Sequence, residues 1–566
     1  MSFVGVRVGV RVGVVAVVVL PLAVGDLVGE AEEAVAACGA CSAPAQAVST
    51  RQAAASQTVC RMVTEGNPTP VRVARPPARG CAGARVPRTR DRSPADSEPG
   101  IIAPVPYLVK QSHRARAVSG PIAPNPALPR ACIIGAGSSG VAAAKALHQA
   151  RIPFDCFERG SVIGGNWVFD NPNGLSACYD TLEINTSGPR MAFSDFPMPA
   201  DYPPYARHDQ VAAYFNAYVD HFGFRERITF NTSVTDVSTG SDGTWSVTTS
   251  GPDGEHVREY DAVLVANGHH WDARWPNPPY PGTFHGEQIH AHDYRSSAQL
   301  AGRDVVVVGS GNSALDIAVE AGTVARSANL SQRRGQWVLR KFALGRPTDQ
   351  VVLPGWLPWW TTAARLRLGA LLSGNVAKLG LPQPHHKPGQ SHPVQSEGIR
   401  DALRAGRVVP RPAIERLDGD HVVFADGSRA PADLIVWATG YQVSVPFLDP
   451  ALVSAKDNDL PLWKRTIHPD LPGLYFIGLV QPVGAVMPLA QAQGEWVAQL
   501  LAGRYLPPPE AEVRRQMRAD DERNKRHFYS SPRHTMEVDF DHYLWDLRRE
   551  LRRGFDRALD RTRTRA

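Results

Sequence analysis

Hydrophobic positions along the 566-residue chain fall into two textures. Before about residue 130 they show no sustained period: an apolar run, VGVVAVVVLPLAV at 12–24, gives way to a stretch rich in Ala, Pro, Arg and Ser over 43–129. From Arg130 onward short continuous apolar runs alternate with helical spacing, the pattern of an α/β protein whose strands are buried on both faces. ACIIGAGSSGVAAAKALHQA predicts strand, turn and helix, and IPFDCFE predicts the next strand. RDVVVVGSGNSALDIAVEAG repeats the pattern and ANLSQ follows it. DAVLVANG (261–268), DLIVWATGY (433–441) and LPGLYFIGL (471–479) are further strands, the last leading into a helical AQAQGEWVAQLLAG. Near the C-terminus Leu544, Leu547, Leu551, Phe555 and Leu559 share one helical face, with Arg opposite.

This length exceeds what one core supports, so several domains are expected. The net charge of +6 is concentrated in residues 1–130, which hold 15 Lys/Arg against 8 Asp/Glu. The remainder holds 46 against 47, so a basic body that grips nucleic acid is not expected. Among seven cysteines, the spacing C-G-A-C at Cys38 to Cys41 lacks a second pair at finger distance, and neither a metal site nor a secreted disulfide framework is expected. The run at 12–24 follows Arg7 and Arg11 in the manner of a signal peptide. A tail or misplaced start is the preferred reading, with a cytoplasmic enzyme as the consequence. Membrane association through that segment is the alternative.

Two glycine-rich loops carry the chemistry. Gly135, Gly137 and Gly140 stand between a strand and a helix, and Glu158 ends the next strand. The first glycine permits a tight turn, the second lets a pyrophosphate approach the backbone, and the third lets helix and strand pack closely. The helix N-terminus supplies N–H donors, and Glu158 suits two ribose hydroxyls but repels a 2′-phosphate. This loop predicts an unphosphorylated dinucleotide, FAD or NAD. The second loop has Gly309, Gly311, Asn312, Ser313 and Ala314, followed at the end of its next strand by Arg333 and Arg334. Guanidinium forks suit a 2′-phosphate, so NADPH is expected there. Two different dinucleotides imply electron transfer between them, with FAD on the first loop.

Between the loops lies FHGEQIHAHDY, which fits F-x-G-x-x-x-H-x-x-x-Y/F at Phe284, Gly286, His290 and Tyr294. With it come GGNW, including Gly165 and Trp167, the segment YDTLEINTS containing Asn185, and the motifs GSGNSALDIA and ATGY. From about residue 130 to 505 the chain resembles the flavin-containing monooxygenases. That resemblance implies two dinucleotide-binding Rossmann-type domains, the NADP domain inserted in the FAD domain. The expected divisions are a low-complexity, disordered extension (1–125), FAD domain (126–295), NADP domain (296–430), second part of the FAD domain (431–508) and helical extension (509–566). It further implies FAD and NADPH as cofactors, O₂ and a small molecule as substrates, and a flavin C4a-hydroperoxide that oxygenates soft N or S nucleophiles. Asn185 is the expected hydrogen-bonding side chain near the flavin ring, and His290 the anchor of the crossing beside NADP. His285 and His292 are read as polar loop residues.

Tyr294-Arg295 stands where Baeyer–Villiger relatives carry W-P or W-D, which favours N/S oxygenation and keeps ketone oxidation as the alternative. A FAD/NADPH disulfide reductase needs a dithiol, yet only Cys156 and Cys178 follow Gly140. A non-enzymatic flavoprotein scaffold is the remaining rival. The Trp-rich insert at 350–380 reads as lid, membrane-facing patch or core; Arg365 and Arg367 interrupt the apolar run and favour core or lid.

Overall fold

Short strands buried on both faces organise the molecule. β1 (Ala131–Ile134) sends Ala131 and Ile133 to one side and Cys132 and Ile134 to the other, and all four are buried. The computed structural model describes residues 117–343, 345–350, 353–529 and 535–565. The apolar run at 12–24, Cys38 and Cys41, and nearly all of the extension assigned to 1–125 lie outside them.

After β1 come α1 (Ser138–Gln149), β2 (Phe154–Phe157), α2 (Gly188–Met191), α3 (His208–Phe222), β3 (Ile228–Thr229) and β4 (Ala262–Val265). Next are β5 (Glu287–His290), β6 (Asp304–Val308), α4 (Asn312–Val324), β7 (Ser327–Ser331), α5 (Trp359–Ser373), β8 (Val409–Arg411) and β9 (Leu434–Trp437). The chain closes with β10 (Leu474–Phe476), β11 (Gln481–Val483), α6 (Met487–Leu501), α7 (Glu510–His527), β12 (Glu537–Asp539) and α8 (Phe540–Arg565).

β10, β4, β1, β2 and β3 form a parallel sheet in that order. β5, β9, β6, β7 and β8 form a second parallel sheet, inserted in the chain between β4 and β10. In each, a glycine loop leaves the middle strand. Each is also covered in the same way. Helices bury Ala131 and Ile133 of the first sheet, and Val305 and Val307 of the second. On the other face Cys132 and Ile134 meet Val237, Trp245 and Val247 of an antiparallel sheet, while Val306 and Val308 meet Ile414, Val422 and Phe424 of another. The alanines of α1 let α6 come close: a Cβ on Gly494 would stand 3.0 Å from the Ala143 Cα.

Three expectations change. β5 and β9 pair inside the second sheet, so the divisions expected at 295/296 and 430/431 shift to the segments that enter and leave it. A buried strand's apolar run does not say which sheet it joins. On α8, Leu544 and Leu547 are buried and Leu551 and Phe555 pack against the core, but Leu559 is exposed. The insert 350–380 is only partly core, because α5 presents large apolar side chains to water.

Candidate active site

The first glycine loop is shaped by what its glycines lack. Gly135 adopts φ +99°, and a Cβ there would lie 2.9 Å from the Ala266 carbonyl oxygen. A Cβ on Gly140 would stand 1.8 Å from the Gly135 oxygen, so the first turn of α1 fits only with glycine. Gly137 caps α1 without a side-chain hydrogen bond, which leaves the helix's first N–H groups for a ligand. Gly165 faces it with φ +56°, and a Cβ there would lie 3.1 Å from the Gly137 Cα. Glu158, at the end of β2, accepts hydrogen bonds from the Ala136 and Gly160 N–H groups, both at 2.8 Å. Asn173 adds an amide donor at 3.3 Å, a contact that no motif in the sequence announces.

The second loop repeats the turn with a different selector. Gly309 has φ +151°, and a Cβ would meet the Ala438 oxygen at 2.4 Å and the Ala314 Cβ at 3.1 Å. Gly311 caps α4 without a side-chain bond, and the Asn312 Oδ1 accepts from the Gln395 N–H at 3.0 Å. Beyond β7, Arg333 and Arg334 are exposed and have no ion-pair partner among the described residues. The Arg334 guanidinium lies 5.9 Å from the Tyr529 ring centroid, a neighbour from the C-terminal segment that sequence reasoning did not single out.

Both loops open on one cleft of about 1950 Å³. It is roughly twice the upper end of the range for a pocket holding one small molecule. Gly135, Gly137, Glu158, Gly165, Trp167 and Asn185 line it from the first half of the chain, and His290, Gly309, Gly311, Asn312, Ser313, Arg333 and Arg334 from the second sheet and the loops that leave it. Gly140 lies beneath the loop instead. Asn185 is half-buried just before α2, and its amide has no hydrogen-bond partner among the described residues. Ser187 N–H donates to Asp349 Oδ2 at 2.6 Å, which fixes the Asn185 segment against the insert.

The F-x-G-x-x-x-H-x-x-x-Y segment divides. Of its four motif residues only His290, the last residue of β5, reaches the cleft, with Ala291 beside it. The His290 Nδ1 accepts the His292 N–H at 3.0 Å, while Nε2 is buried without a well-formed hydrogen bond among the described residues, the Gly440 backbone bearing only weakly on the ring. Burial, with a smaller contribution from His292, pulls its pKa down to about 4. Phe284, Gly286 and Tyr294 serve packing. Phe284 packs on the second sheet's outer core, and a Cβ on Gly286 would meet the Phe284 ring at 2.6 Å and the Asp433 oxygen at 2.7 Å. Tyr294 is fully buried against Tyr179 and donates to Glu320; burial and that carboxylate push its pKa up. These three hold β5 to the second sheet so that His290 emerges at its end.

The family model described as flavin-binding monooxygenase-like matches residues 129–553. The chain belongs to the flavin-containing monooxygenases. Flavin-containing monooxygenase 5 of Mus musculus is 33% identical over 433 residues, covering 73% of this chain and 80% of that one. Dimethylaniline monooxygenase [N-oxide-forming] 2 of the same species is 31% identical over 442 residues, covering 74% and 82%. The solved structure of S-allyl-L-cysteine S-oxygenase from Allium sativum superposes with a TM-score of 0.57 at 25% identity, covering 76% of this chain and 88% of that one. A flavin-containing monooxygenase is an oxidoreductase that uses FAD and NADPH, and acts with O₂ on a small molecule. The donor set suits such groups: bare helix N-termini for diphosphates, a carboxylate for ribose, free guanidinium groups for phosphate, and an orphaned imidazole nitrogen. Among the described residues no cluster of three or more His, Cys, Asp or Glu is arranged to hold a metal, and no helix is long and apolar enough to cross a membrane.

Proposed function

We propose that the first sheet is a Rossmann-type FAD domain, that the inserted second sheet is a Rossmann-type NADP domain, and that the enzyme oxygenates a soft nitrogen or sulfur atom of a small organic substrate. One observation carries the reading: loops of the same build, with a carboxylate after one and two unpaired arginines after the other, face a single cleft.

Bound here, FAD and NADPH would supply the two electrons that activate O₂. The protein's own tasks are to bind, orient and keep water out. N–H groups at the start of α1, freed by Gly137 and admitted by Gly135, hold the FAD diphosphate, with Gly165 and Trp167 closing over it. Each Glu158 oxygen already accepts a backbone hydrogen and keeps lone-pair capacity for a ribose hydroxyl. Gly309, Gly311, Asn312 and Ser313 perform the same service for NADP, and Arg333 and Arg334 grip the 2′-phosphate. The Asn185 amide would donate to the flavin, and His290 would donate to the nicotinamide nucleotide, since both side chains line the cleft.

Nitrogen or sulfur as the target is supported by the relatives named for N-oxide formation and S-oxygenation. Tyr294-Arg295 supports it as well, standing where ketone-oxidising relatives carry W-P or W-D. The test supplies purified enzyme with NADPH, O₂ and, separately, a thioether, a tertiary amine and a cyclic ketone. A sulfoxide or N-oxide formed with NADPH consumption is expected, and conversion of the ketone alone would overturn the assignment.

A further inference from the structure

Asn185 belongs to the first half of the chain, yet the segment that carries it is tied to side chains of the second. On α4, whose uncapped N-terminus belongs to the second glycine loop, Leu315, Ile317, Ala318 and Ala321 are buried in the core. Asp316 and Glu320 stand one turn apart on another stripe of the same helix. The Tyr179 hydroxyl donates to Asp316 Oδ2 at 2.7 Å, and the hydroxyls of Thr181 and Tyr294 both donate to Glu320. Between Tyr179 and Thr181, the Asp180 N–H donates to the Arg295 carbonyl at 2.9 Å.

The far end of the segment is held as well. Lys341 pairs with Glu183 and donates to the Ile184 carbonyl at 3.4 Å, beside the bond from Ser187 to Asp349. Main-chain bonds to Ala206 and His208 set the course of the segment ahead of α3 but fix nothing relative to α4. Asn185 thus lies between two sets of side-chain bonds while its own amide stays uncommitted among the described residues. Hydroxyl-to-carboxylate bonds are charge-assisted and directional, so they select one register where an apolar contact would let the segment slide. Burial and the Asp316 carboxylate push the pKa of the Tyr179 hydroxyl well up, so it keeps its proton and donates throughout the neutral range.

We propose that Asp316 and Glu320 are positioning residues: through the Tyr179 and Thr181 hydroxyls they hold the Asn185 segment in register with α4, so that a nucleotide seated on the second loop also sets the Asn185 amide. The link is short. A nucleotide that takes up the N–H groups at the start of α4 fixes that end of the helix, and Asp316 stands one turn farther along. Tyr179, Leu182, Glu183 and Asn185 all line the cleft, so a shift of the segment is a shift of the cleft wall. Neither carboxylate needs to touch a cofactor to act this way. The inference rests on the assignment of NADP to the second loop and FAD to the first, and does not depend on which atom the enzyme oxygenates.

Full-length, flavin-loaded enzyme is followed by amide hydrogen exchange with and without NADP⁺. In the wild type NADP⁺ should slow exchange over 309–313, where it binds, and also over 179–187, there by about fivefold. Tyr179→Phe/Thr181→Val removes two hydroxyls with little change of shape. It should keep the slowing over 309–313 and lose it over 179–187, and product formed per NADPH should fall about two- to fivefold. Where that pair does not fold, Tyr179→Phe alone should lose about half of the response at 179–187. Asp316→Asn keeps an oxygen for the Tyr179 hydroxyl and should respond as the wild type does. The proposal is overturned by a wild type whose 179–187 segment ignores NADP⁺. It is equally overturned by a double variant that melts earlier yet responds in full, since the bonds would then serve stability alone. Slowing over 135–140 in place of 309–313 would overturn the loop assignment itself, and the proposal with it.

Discussion

The two glycine loops share a build and differ in what they tolerate. Each leaves the middle strand of a parallel five-stranded sheet, turns at a glycine of positive φ and starts a helix without a side-chain cap. The first has no space for a methyl at its third position, since the Gly140 Cβ would overlap the Gly135 oxygen, whereas the second carries Ala314 there. The first ends its next strand in a carboxylate tied to its own loop, and the second in two guanidinium groups without an ion-pair partner among the described residues. Loop geometry admits a dinucleotide; the residue after the following strand chooses which one.

The largest effect should come from the third loop position. Gly140→Ala forces the backbone apart, costs roughly 3 kcal/mol or more, and should yield protein that binds little flavin. Ala314→Gly, the reverse exchange in the other loop, should cost only about 0.5–1 kcal/mol and leave NADPH oxidation intact. Flavin absorbance per chain and denaturation midpoints read both; equal losses would abolish the contrast. Next, Arg333→Ala/Arg334→Ala removes charge-assisted bonds of about 1.5–3 kcal/mol each. The preference for NADPH over NADH, taken as a ratio of kcat/KM, should fall about 10²- to 10³-fold. An unchanged ratio would move the 2′-phosphate elsewhere.

The junction between the loops supplies two smaller effects. His290 holds a pKa of about 4 in the folded chain against an ordinary 6.5. As pH falls below 6.5 the unfolded chain takes up a proton that the folded one refuses, so stability present at neutral pH is lost progressively down to about pH 4. The loss is on the order of 2–3 kcal/mol. His290→Phe should remove that acid-side slope in melting temperature between pH 7 and 4.5, and a slope equal to wild type would assign it to other groups. Smallest is Asn185→Leu. Flavin should be reduced by NADPH at the normal rate while product per NADPH falls about three- to tenfold, the balance appearing as hydrogen peroxide. Full coupling would remove Asn185 from its role.

Much of this organisation is legible in the chain. Strands buried on both faces leave uninterrupted runs such as DVVVV and ACII, and close backbone approach requires the glycines that mark the loops. Sheet membership was hidden, since β9 carries the same kind of run as strands of the first sheet and β5, EQIH, carries no apolar run at all. So was the division of labour in 284–294: Gly286 and Tyr294 meet Asp433 and Glu320, partners far off in sequence or on another element. α5 misled for a further reason. A helix apolar on both sides has no preferred face, and two arginines alone do not reveal that one side looks to water.

β12 pairs with β11 through Gln481↔Glu537 and Val483↔Asp539, and the Phe540 side chain comes within 2.9 Å of a Cβ built on Gly484. Gln481, Pro482, Val483 and Gly484 form part of the cleft wall. That wall is therefore braced by a strand that follows both nucleotide loops in the chain. A nascent chain can assemble both nucleotide loops before β12 is made, but its reaction chamber stays unbraced on this side until β12 has been added, which delays the capacity to spend reducing equivalents.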